Sequence, residues 1–110
     1  MTLLINKNSG ARGSTVRNYT IPAAHTNSIV AALVSQQYTK GSVFINDTVN
    51  SLFFEYSIIN FNGVLNTTIH GMIGHEFNLN INDFIDSTNI GISITNNEIS
   101  TLFVTLIQEL

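Results

Sequence analysis

The side chains able to do chemistry in this chain are three histidines and seven carboxylates, with no cysteine among its 110 residues. His70 and His75 flank Gly71-Met72-Ile73-Gly74, and Glu76 follows. Two imidazoles and a carboxylate are donors that zinc and copper accept. The spacing matches no established ligand geometry, and polar loop histidines explain the same residues more simply. Asp83 and Asp86, with Asn80, Asn82 and Ser87, supply oxygens of the kind calcium takes. The central glycine and late bidentate glutamate of an EF-hand are missing, so turn-forming Asx residues are the better account. No ion and no cofactor is assigned.

Glycoside hydrolysis would need a facing pair drawn from Glu55, Glu76, Asp83, Asp86 and Glu98, which are scattered along the chain. Acyl transfer has no Gly-x-Ser-x-Gly element to work from, and thiol chemistry has no thiol. The reading is therefore of a protein without an active site. Phe53, Phe54, Tyr56, Phe61, Phe77 and Phe103 lie in apolar stretches and are expected in the core. Tyr38 and Tyr56 are the candidate glycan contact in an alternative reading, which requires both rings together at the surface over a polar groove.

A chain of this length forms one domain and can bury a proper core without staples. Only 10% of its residues are charged, against about 25% in ordinary domains, so surface polarity falls to Asn, Thr and Ser. Such a surface suits a protein largely covered by partners, or equally a chain encoded by an AT-rich genome. All four cations, Lys7, Arg12, Arg17 and Lys40, precede all seven acids. A net charge of −3 makes nucleic acid a poor partner. The apolar runs fall short of the ~20 residues that span a bilayer, and no basic-then-apolar leader opens the sequence.

The elements that must position these residues read as strands. Residues 6–14 hold nothing apolar larger than alanine, so residues 1–14 are expected as a flexible arm whose apolar tip is Leu3, Leu4 and Ile5. Leu3, Leu4, Ile5, Lys7, Arg12 and Arg17 form a candidate assembly arm, apolar at its tip and cationic behind it. Residues 15–110 form the domain. Alternation predicts a strand over 14–21, closed by Pro22, the only proline. The run 28–36 is expected as a strand buried on both faces. Strands follow over 41–49 and 52–61, and Asn62-Gly63 signals a tight hairpin into 64–70. Gly71–Gly74 reads as a break, 77–82 as a strand with one wet face, 83–89 as a loop, and 90–94 and 101–108 as the closing strands. About eight short strands at this spacing predict an all-β, two-sheet antiparallel sandwich, jelly-roll-like.

The segment Tyr19-Thr20-Ile21-Pro22-Ala23-Ala24-His25-Thr26-Asn27-Ser28-Ile29-Val30-Ala31-Ala32-Leu33 resembles the opening of small β-sandwich structural proteins of tailed-phage virions. Phe77–Asp83 is similar to their penultimate loop, and 90–94 with 101–107 to their closing hairpin. The resemblance departs at Ile85-Asp86-Ser87, where a Gly-Asp usually opens the strand. It implies a non-enzymatic head-decoration, head-fibre or tail-associated subunit, located in the virion. Its implied partners are further copies of itself, as a trimer or ring, and other virion proteins, with no membrane involved. A receptor- or carbohydrate-binding module of a fibre tip is the alternative.

Overall fold

The computed structural model describes residues 14–109. They form eight strands and no helix: β1 (Ser14–Ile21), β2 (Thr26–Leu33), β3 (Tyr38–Asn46), β4 (Ser51–Phe61), β5 (Val64–Gly74), β6 (Leu79–Ile85), β7 (Asn89–Asn96) and β8 (Leu102–Glu109). All pairings are antiparallel. One sheet has the order β1-β8-β3-β4-β5 and the other β2-β7-β6. The predicted two-sheet sandwich is what the chain adopts. The nested pairs β1–β8 and β2–β7, with β3 laid beside β8, are the jelly-roll part. The β3–β4–β5 meander stays within one sheet, so the layers hold five strands and three.

The core comes from the inward half of each strand. Ile21, Val43, Ile45, Phe54, Tyr56, Ile58, Leu102, Val104 and Leu106 line the large sheet, and Ile29, Ile90, Ile92 and Ile94 the small one. β-branched and aromatic side chains fit this pleated, half-buried surface. Two glycines let neighbouring strands of one sheet approach closely. A Cβ on Gly41 would strike the Ile107 carbonyl and sit 2.6 Å from the Tyr56 hydroxyl, and one on Gly91 would strike the Ile29 carbonyl.

Four strands differ most from the sequence reading, each for a local reason. β2 ends at Leu33, and its register shifts between Val30 and Ala32. That bulge puts the consecutive Ala31 and Ala32 both inside, while Leu33 is exposed, so the run is not buried on both faces throughout. β5 runs through the glycine break: Phe53 faces Ile73 but Glu55 faces His70, so Gly71 and Met72 form a bulge opposite Phe54. Gly71 takes φ of 63°, the conformation such a bulge requires. β6 begins at Leu79 and extends into the expected loop as far as Ile85: Asp83 pairs with Ile92 on the same face as Ile81, and its side chain stays exposed because β6 is the edge of the small sheet. β3 starts at Tyr38 and stops at Asn46, where the Asp47 carboxylate ties a turn with Val49 and Asn50.

Candidate interaction surface

The polar side chains with most company stand on the outer face of the large sheet. Antiparallel register sets Lys40 between Glu109 and Ser57, and in the next row Ser42, Glu55 and His70 side by side. Lys40 Nζ lies 3.6 Å from Glu109 Oε1, and His70 Nδ1 lies 3.5 Å from Glu55 Oε1. Ser57 Oγ and His70 Nε2 are 3.5 Å apart. Lys40, Glu55, Ser57, His70 and Glu109, with Tyr38 at one end, line a shallow cleft of about 220 Å³.

The order carboxylate, imidazole, hydroxyl resembles a nucleophilic relay in outline only. Acyl transfer also needs preorganised donors for the developing oxyanion. Ser57 lies in β4, an inner strand whose backbone ladder is shared with β3 and β5. What the cleft offers is a set of half-exposed hydrogen-bonding groups. Its Lys40–Glu109 ion pair is of the surface kind, worth about 0–1 kcal/mol.

Apolar side chains flank this polar strip along the same face. On one side Phe44, Phe53 and Ile73 form a cross-strand row, with Phe103 one row further on. On the other stand Tyr38 and Ile59, then Phe61 and Val64. Ile73 and Phe61 are each 67% exposed. Phe61 and Phe103 are thus surface residues and Phe53 is half-buried, while Phe54, Tyr56 and Phe77 are in the core as expected. The strands are apolar on both faces, and the small sheet covers only one of them.

The remaining candidate residues sort by local structure. Tyr56 has no exposed surface, so it shares none with the half-exposed Tyr38. Its hydroxyl is buried without a hydrogen-bond partner among the described residues. Burial, and then the neighbouring Tyr19, push its pKa above the ordinary phenol range. Among the described residues no three potential metal ligands converge. His75 packs edge-on against Phe77 with ring centroids 4.6 Å apart, and His25 Nδ1 lies 2.8 Å from the Ala23 carbonyl oxygen. Asp86 Oδ1 accepts the N–H groups of Thr88 at 2.8 Å and Asn89 at 2.7 Å. Those backbone bonds, Thr88 first, hold its pKa below the usual carboxylate value.

Arg17 lies within β1, where its Nη1 donates to the Val30 carbonyl at 2.8 Å. The Val30 N–H in turn donates to the Tyr19 hydroxyl at 3.2 Å. Two β1 side chains therefore satisfy the free edge of β2 at Val30. Leu3, Leu4, Ile5, Lys7 and Arg12 lie outside the described residues. The chain matches no protein-family model, no curated protein and no solved structure.

Proposed function

We propose that this chain is a non-enzymatic structural subunit of a tailed-phage virion, a head-decoration, head-fibre or tail-associated protein that works by self-assembly and docking. The observation that carries the reading is the apolar row Phe44, Phe53 and Ile73, with Phe103 beside it, on the outer face of the large sheet. A contiguous exposed apolar surface rimmed by polar groups is the mark of an interaction site. Phe44, Phe53, Ile73 and Phe103 on one side of the polar strip have this character. Sparse charge lowers the desolvation cost of covering such a face. The resemblance at 19–33 supplies the virion context. The glycan-binding alternative required Tyr38 and Tyr56 at the surface together, and only Tyr38 is there.

The test is incorporation. Tagged protein produced during infection is expected to co-purify with particles in fixed stoichiometry. Phe44→Glu combined with Ile73→Glu should leave the unit folded yet remove it from particles. Particles lacking the wild-type protein would reject the reading.

A further inference from the structure

We propose that β5 pairs with β5 of a second copy of this chain, antiparallel about a two-fold axis through Thr67, joining two large sheets into one. The inference concerns the isolated protein and adds a defined contact to the assembly reading above.

Hydrogen-bond direction opens this edge. The Asn60 N–H donates to the Gln37 carbonyl at 2.8 Å, on the β3 side of β4. Bonded and non-bonded pairs alternate along an antiparallel ladder. Ile59 and Phe61 therefore turn their backbone groups toward β5, where they face Asn66 and Val64. The two-residue Asn62-Gly63 turn, with φ of 54° and 80°, closes a hairpin whose last pair, Phe61 and Val64, is hydrogen-bonded. Val64, Asn66 and Thr68 therefore bond to β4. The N–H and C=O groups of Leu65, Thr67 and Ile69 are left pointing out of the sheet. Among the described residues no backbone or side-chain group caps them.

The edge is also symmetric. The hairpin turn ends at Gly63 and the bulge begins at Gly71, and Thr67 lies midway. A two-fold axis there sets Thr67 opposite its twin, Leu65 opposite Ile69, and Asn66 opposite Thr68. Each outward-pointing residue then meets another, and such a pair exchanges two N–H···O bonds. The buried Thr67 Oγ1, which lacks a partner among the described residues, meets a second threonine hydroxyl, a favourable cross-strand pair. Leu65 and Ile69, packed against the core but only partly covered, gain cover. Val64 to Ile69 contains no charged residue to oppose itself, and no Lys or Pro of the kind that guards an edge. The other three edges are less open: β1 carries the charged Arg17, β2 has its Val30 N–H and C=O taken by Tyr19 and Arg17, and β6 is shorter and carries Asp83.

Sedimentation of the full chain across a concentration series tests the contact, with a dimer of the 12.1 kDa chain expected. Thr67→Pro removes an outward N–H without touching the β4 ladder, and should raise the dissociation constant by about tenfold or more with the fold intact. Should Thr67→Pro fold poorly, Thr67→Cys serves without disrupting the edge. The Cα separation of about 5.5 Å in a bonded pair lies within reach of a disulfide. Oxidation should then link Thr67→Cys into dimers while the turn variant Thr88→Cys stays unlinked. A monomeric wild type, a dimer indifferent to Thr67→Pro, or equal cross-linking at both positions would overturn the β5 contact. Particle incorporation is read separately and can fail or succeed independently of it.

Discussion

Single residues in this fold have unequal tolerance, set by whether an atom has a place to go. Tyr56 shows the case of an atom too many. Its ring fills the core beside Gly41, yet its hydroxyl is buried without a hydrogen-bond partner among the described residues. An unsatisfied buried polar group costs about 1–3 kcal/mol. Tyr56→Phe is expected to raise the thermal melting midpoint by a few degrees. Gly41→Ala in the same spot should lower it, because the added methyl meets the fixed backbone of Ile107. A calorimetric scan of the two variants checks both signs, and a Phe variant that melts earlier than wild type would mean the hydroxyl is satisfied after all. Asn96 shows the opposite case. It is buried, but its Nδ2 donates to the Ile21 and Ser100 carbonyls, each at 2.9 Å, and its Oδ1 accepts the Glu98 N–H at 2.8 Å.

Strands and turns were legible in the sequence where one physical rule dominated. Alternation up to Pro22 located β1, Asn62-Gly63 located the β4–β5 hairpin, and Phe77–Asn82 announced a strand with one wet face. The rule failed where a bulge breaks the period of two, as at Ala31-Ala32 and Gly71-Met72. Nor does alternation say which apolar half of β4 is covered, since Phe53 and Phe54 look alike to it. The cleft was invisible for a related reason: Lys40, Glu55, Ser57 and His70 belong to three strands, and only their register brings them together. At this scale the Asx turns carry a pH dependence. The Asp86 carboxylate is held below its ordinary value of 3.8 by bonds that exist only in the folded chain. Its contribution is complete above the unfolded value and fades as pH falls through the lowered one. The protection of the Thr88 and Asn89 amides, taken relative to their intrinsic exchange rate at each pH, should therefore fall in strong acid before the sandwich unfolds. In Asp86→Ala the same amides should lack protection at every pH.

The whole molecule depends on its last strand. β8 sits between β1 and β3, so the end of the chain supplies an inner strand of the large sheet. Such long-range pairing slows folding, because loop closure must precede the contacts that reward it. Truncation after Ser100 is expected to abolish the cooperative unfolding transition altogether, whereas removal of residues 1–13 should preserve it. Circular dichroism melts of the two truncations make the comparison, and a cooperative melt without β8 would show that the sheet closes by another route.

The pairing of Ser14 with Glu109 has a practical side. It brings the two ends of the sandwich to one corner, a strand's width apart. A tag, reporter or further domain attached at either end would leave the body from the same spot. A short linker could splice the ends into a ring of peptide, freeing a cut to be made at the exposed Asn97 turn, so that the order of the strands is rewritten while their neighbours stay the same.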